Sequence, residues 1–323
     1  MLNELCLSSL GREFVENLKF ETNFNKIEIK LGEVAEFLQI LKFEHPFPAQ
    51  NYFNLIPELA RIRLPGTFIR QEKLFDLKSS LITLDDVLNY INNLGTNKYP
   101  LIKRLSEGVV FERKILREID RIVDERGNIK DNASELLGEI RKKQIKLSGE
   151  IDKAVRSVLV QARKSGWLNP NDEVTVRNGR LVIPVPASHK RRIRGFIHDE
   201  SATGQTVFIE PAEALEANNE ILELQNAEKR EIVRILTVFT EMIRDRADDL
   251  IENYSFLGLI DFIRAKAALA IKINAIKPIF IDSSIIQWKE AVHPLLLLVH
   301  QKQKKHVEPL EIALDDENRI LVI

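Results

Sequence analysis

The stretch VTVRNGRLVIPV, Val174 to Val185, alternates apolar and polar residues on either side of Asn178-Gly179. That pair accepts the positive φ angles of a two-residue type I′ turn, so the stretch predicts a β-hairpin. The turn sets the register. Val176 pairs with Leu181 and Val174 with Ile183, while Arg177 pairs with Arg180 and Thr175 with Val182. RIRGFIH (192–198) and QTVFIEP (205–211) add two alternating strands, giving a small antiparallel sheet within residues 171–211. Ile193, Ile197, Val207 and Ile209 extend the apolar side, and Arg192, Arg194, Phe196, His198, Thr206 and Phe208 fall on the other.

This insert separates two long helical patterns. In residues 131–170, Ser134 or Asp131 offers a cap, and apolar positions recur at Leu137, Ile140, Leu147, Ile151, Val155, Val158 and Ala162, with one polar gap at Gln144. About 32 residues of helix would reach about 48 Å at the usual rise. The second pattern starts after Pro211 and runs to about Asp248, with a stripe at Leu215, Leu222, Ile232, Ile235, Phe239 and Met242. Two long helices flanking a small insert suggest an antiparallel pair carrying the sheet at its far end, and two unrelated helices of a bundle are the alternative.

Residues 1–130 read as a core of short helices. IEIKLGEVAEFLQIL (27–41) has helical apolar spacing, and FEHPFPAQ (43–50), LPGTF (64–68) and NNLGTNKYP (92–100) place Pro or Gly where helices should stop. Residues 212–275 bring the chain back through the second long helix and core helices, among them FIRAKAALAIKI (262–273). In 276–323, KPIFI (277–281) and NRILVI (318–323) read as strands of an α/β domain interrupted early. The expected fold is mainly α: a helical core, two long antiparallel helices carrying a small antiparallel β insert, and the start of an α/β domain.

A net charge of −1 conceals 47 basic and 48 acidic residues, so any charged patch must come from local clustering. The single cysteine, Cys6, excludes an intramolecular disulfide and any multi-cysteine metal cage. No stretch has the length and apolarity of a membrane span, and MLNELCLSSLGREF (1–14) is too charged for a signal peptide, which together predict a cytoplasmic protein. Clustering does occur in the insert. Arg177, Arg180, Lys190, Arg191, Arg192 and Arg194 follow one another with no acidic residue between them. Such a face, interrupted by aromatics, suits a phosphate backbone, with a solvated basic surface as the plainer reading. Arg177 opposite Arg180 is unfavourable unless an anion sits nearby.

His198, Asp199, Glu200 and Ser201 have the residue types of a hydrolytic site. A nucleophilic serine wants a strand-to-helix turn, whereas these residues join two short strands and no Gly-x-Ser-x-Gly is present. Nor does a second histidine lie at helical spacing to build a zinc site. His198, Asp199, Ser201 and Gly204 therefore read as a turn, with no catalytic and no metal-binding residue assigned. His189, His300 and His306 read as surface residues. No phosphate-loop motif G-x-x-x-x-G-K-[ST] occurs, nor G-x-G-x-x-G.

VDERGNIKDNASELLGEIR (123–141), GFIHDESATGQTVFIEP (195–211) and ALEANNEILELQNAEKREI (214–232) resemble the MutS family, specifically its second bacterial branch, which lacks mismatch-reading domains. The resemblance extends over essentially the whole chain and is weakest in its first hundred residues. It implies that the long helices form a lever and the β insert a clamp that closes on nucleic acid. AVHPLLLL (291–298) resembles the segment opening the family's ATPase domain, with Val292 where arginine is usual, and DENRILVI (316–323) resembles the strand leading into its phosphate loop. By this resemblance the chain is a fragment without the phosphate loop and the nuclease domain, not itself an enzyme, with ATP and Mg as cofactors of the parent only. Three Phe-x-Glu triplets, ending at Glu16, Glu210 and Glu241, lie outside any mismatch-domain context. The expected function is non-sequence-specific binding of branched or duplex DNA, in a homodimeric parent that restrains recombination. Ribosomal RNA as partner, or a purely structural dimerisation module, is the alternative.

Overall fold

A computed structural model describes residues 1–48, 50, 52–95 and 97–321. Along the chain run α1 (Leu2–Leu5), α2 (Ser9–Glu16), α3 (Phe24–Phe43), α4 (Ile56–Ile62), α5 (Gln71–Asn93), α6 (Pro100–Ser106), α7 (Arg113–Ile122), α8 (Glu135–Lys164), β1 (Thr175–Arg177), β2 (Arg180–Pro186), β3 (Gly195–Glu200), β4 (Thr206–Pro211), α9 (Ala212–Arg244), α10 (Ala247–Lys272), β5 (Ile286–Ala291), α11 (Pro294–Gln303) and β6 (Leu310–Leu314). The fold class is mainly α with a small β part, as the sequence predicts. The chain divides into two compact units, one of residues 1–67, 72–117 and 243–323 and one of 68–71 and 118–242.

In the first unit the helices stop where Pro and Gly stand: α3 ends at Phe43, α4 at Ile62 and α5 at Asn93. α3 and α5 run 20 and 23 residues, longer than the short helices expected. α10 starts at Ala247, well before the expected Phe262, because Leu250, Tyr254, Leu257 and Ile260 already form a buried stripe. It packs on α2, α3 and α4. Asp261 on α10 is fully buried and accepts hydrogen bonds from Leu7 N (3.0 Å), Ser8 N (2.9 Å) and Ser8 Oγ (2.8 Å), with Arg264 Nη2 at 3.1 Å. Ser8 Oγ in turn accepts from Gly11 N at 3.0 Å and caps α2.

Residues 276–321 differ from expectation. KPIFI is irregular chain, and residues 318–321 of NRILVI form no strand, while Val322 and Ile323 lie outside the described residues. The strands are instead β5 and β6, an antiparallel ribbon bulged between Trp288 and Ala291. Ile279 remains 94% exposed and Trp288 51%. An apolar run becomes a buried strand only where another strand or helix covers it; Phe280 stacks on the Phe24 ring, 5.6 Å between centres, yet stays 39% exposed.

In the second unit α8 and α9 are antiparallel. Ser134 Oγ donates to Glu231 at 2.6 Å, Arg141 Nε to Glu228 at 2.8 Å, and Lys143 pairs with Glu220, so partners move up one helix as they move down the other. Ser134 is the cap of α8, its Oγ accepting from Leu137 N at 3.0 Å, and Asp131 sits in the preceding 3-10 turn. The seam of α8 buries Leu137, Ile140, Leu147, Ile151, Val155, Leu159 and Ala162, with Leu159 in place of the expected Val158. The stripe on α9 also differs: Leu222 and Met242 are exposed, and Ala214, Leu236 and Ile243 are buried in their place. A helix beginning just after a strand takes its phase from the sheet it leaves, which residue spacing alone does not register.

Candidate nucleic-acid interface

The sheet order is β1-β2-β4-β3, all antiparallel. Asn178 and Gly179 have φ of 51° and 76°, and the register pairs Thr175 with Val182, Val176 with Leu181 and Arg177 with Arg180, as the two-residue turn dictates. Ile183, Val185, Val207 and Ile209 turn inward onto Ile151, Val155 and Leu159 of α8 and Ala214 of α9. The alternation fails at two places. Val176, on edge strand β1, is 55% exposed, and Ile197, on edge strand β3 opposite the buried Ile209, is 46% exposed.

His198 lies on the face opposite the core, as alternation predicts. There Glu210, fully buried, receives Arg180 Nη1 at 2.8 Å on one oxygen and 2.9 Å on the other, Asn218 Nδ2 at 2.6 Å, and His198 Nε2 at 2.5 Å. Arg180 Nη2 also donates to Asn219 Oδ1 at 2.9 Å. Arg177 turns away from Arg180: its Nε lies 3.3 Å from Asp199 Oδ2, and its guanidinium carbon 4.1 Å from the Phe208 ring centre. The anion that the facing arginines require is therefore part of the chain. Sequence reading passed over Glu210, although Thr206, Phe208 and Glu210 share the face of His198 by simple alternation. One carboxylate facing an arginine and a histidine was the available signal.

The turn after β3 closes on itself. Ser201 Oγ accepts from Thr206 N at 3.1 Å, Ser201 N donates to Thr206 O at 2.8 Å, and Gly204, at φ 68°, donates its N–H to Ser201 O at 2.7 Å. Asp199 Oδ1 accepts from Glu200 N at 2.9 Å. Ser201 thus shapes the turn while His198 faces Glu210. Among the described residues no three His, Cys, Asp or Glu side chains gather as a metal site. His300 Nδ1 sits 3.0 Å from His306 O, and His189 is half-buried.

Lys190, Arg191, Arg192 and Arg194 occupy the β2–β3 connection, all exposed, and among the described residues none of them pairs with a carboxylate. A tight turn presents them, Arg192 N donating to His189 O at 2.8 Å. Arg192 and Arg194 border a cleft of about 170 Å³ together with Gln161, Trp167 and Glu213. Of the six basic residues, four are open and two are engaged within the sheet.

Gly195 begins β3 at this connection. A methyl group there would lie 2.0 Å from Glu210 O and 2.9 Å from Ile209 Cγ2. Gly195→Ala is expected to part β3 from β4, at a cost of about 1–3 kcal/mol in urea unfolding. Gly204→Ala meets open space and costs about 1 kcal/mol, for its positive φ alone.

No protein-family model matches the chain. Its whole length aligns at 32% identity with Endonuclease MutS2 of Geobacillus sp. (strain WCH70), covering 40% of that protein. The chain is similar to the MutS2 endonucleases. Endonuclease MutS2 of Halothermothrix orenii is 30% identical over the whole chain and that of Finegoldia magna 32%, with 40% of each relative covered. The chain thus spans about two-fifths of the length of these MutS2 relatives. No helix among its described residues is long and apolar enough to cross a membrane.

Proposed function

We propose that the chain is the core, lever and clamp portion of a MutS2-type protein, and that its β insert holds nucleic acid by the phosphate backbone without reading sequence. One observation carries this: Lys190, Arg191, Arg192 and Arg194 project from a single tight connection with no carboxylate partner among the described residues. Cations so placed gain little from their own chain and release counterions on meeting phosphates. The name of the relatives, Endonuclease MutS2, favours DNA as the polyanion. In this reading α8 and α9 are the lever, branched or duplex DNA is the partner, and restraint of recombination is the task of the full-length protein. In this reading ATP and Mg binding fall to other parts of such a protein, since no phosphate-loop motif occurs in these 323 residues, and homodimerisation is a property proposed of the full-length protein.

Arg177 and Arg180 take a different part. A phosphate would have to displace Asp199 or the buried Glu210 to reach them, so they hold the sheet. Binding to duplex and branched DNA over a range of salt tests the division. Arg192→Ala with Arg194→Ala should reduce the log–log salt slope by about 1.8, at about 0.9 for each phosphate no longer neutralised. An unchanged slope and affinity in the folded double variant would refute the assignment, and binding of ribosomes in preference to both DNAs would refute the choice of partner.

A further inference from the structure

The first unit contains a cavity of about 720 Å³ unrelated to the basic connection. One wall is α3, where Ile27, Leu31, Val34 and Leu38 recur at spacings of four, three and four. The facing wall is α10, where Leu259, Phe262, Lys266 and Ala270 recur at three, four and four. Such stripes normally meet and bury one another. Here α10 does pack on α3, yet beside that contact Leu31, Val34, Leu38 and Leu259 are only half-buried. Lys266 occupies the position where the periodicity of α10 calls for an apolar residue.

Its ammonium lies 3.9 Å from the Phe262 ring centre and, among the described residues, pairs with no carboxylate. Burial, and then the Lys30 charge, hold that amine below its ordinary range, and Glu33 only partly offsets them. An anion in the cavity would relieve both. Lys19, Lys30 and Lys277 also border it, Lys30 paired with Glu21 at 3.2 Å and Lys277 with Glu28 at 2.9 Å, which leaves Lys266 the half-buried amine facing the space. Apolar walls, one converging charge and this volume are what a small-molecule site requires.

We infer that the cavity between α3 and α10 binds a small organic anion with an apolar body, of the medium-chain carboxylate class. The head pairs with Lys266, and the body lies between Leu31, Val34 and Leu38 on one side and Leu259 and Phe262 on the other. Titration calorimetry of the whole chain with octanoate, 1-octanol and octylammonium tests it. Octanoate should bind at least about tenfold more tightly than 1-octanol, the worth of one charge-assisted hydrogen bond, and octylammonium should not bind. Lys266→Met should erase the preference for octanoate while leaving 1-octanol binding in place, and Lys266→Arg should retain the preference. Val34→Trp, with helical content unchanged, should remove binding of both by filling the space. Equal affinity for octanoate and 1-octanol, no octanoate binding at millimolar concentration, or an unaltered octanoate affinity in Lys266→Met would overturn the inference.

Discussion

Glu210→Ala should destabilise the second unit by about 3–5 kcal/mol, the usual cost of removing one partner from a buried ion pair. The carboxylate is fully buried and joins β4 to β2 through Arg180, to β3 through His198 and to α9 through Asn218. Its loss leaves Arg180 Nη1 and the Asn218 amide without their acceptor and opens a space between sheet and helix. Amide hydrogen exchange should report the damage as lost protection in β2, β3 and β4, ahead of any change in α5 or α10. Adding Arg180→Ala to Glu210→Ala should recover part of the loss, because the stranded charge is then gone. A double variant as unstable as the sum of the two single ones would mean that the residues do not act as a pair.

The second large effect is expected at Asp261. Its carboxylate binds the backbone of Leu7 and Ser8, the Ser8 hydroxyl and Arg264 in a site that excludes solvent. Asp261→Ala should cost about 3–5 kcal/mol, since Arg264 loses its carboxylate and three donors lose their acceptor together. The consequence should be local at first, with release of the segment containing α1 and α2. Cys6, 4% exposed and with its thiol pushed up chiefly by burial, gives a readout. It should resist alkylation in the parent chain and react in Asp261→Ala under conditions where the core is still folded. Gly11→Ala should behave alike, because the added carbon would lie 2.4 Å from Asp261 Oδ2. Slow alkylation in both variants would show that Asp261 does not tether the segment.

Much of the frame was legible from residue order. Asn178-Gly179 set the hairpin register, Pro and Gly marked the ends of α3, α4 and α5, and the spacing from Leu137 to Ala162 marked the seam of α8. The first two signals act within one turn of chain, through allowed φ angles, and the third through the regular period of a single helix, which needs no knowledge of the fold. Errors appeared where a stripe depended on what covered it: Leu222 and Met242 on α9, Ile197 on the sheet edge, and the strands expected at 277–281 and, over the described residues of its run, at 318–321.

By itself the sequence determined that two arginines would face each other across β1 and β2, and that four more basic residues would follow without an acidic one. Tertiary structure decided what each would do. Arg180 found Glu210 thirty residues further along the chain, and Arg177 found Asp199 and Phe208, while Lys190, Arg191, Arg192 and Arg194 stayed open. The reason is physical. A turn is fixed by the torsions of the residues within it, whereas the partner of a charge is fixed only when the sheet closes and burial makes an unpaired carboxylate intolerable.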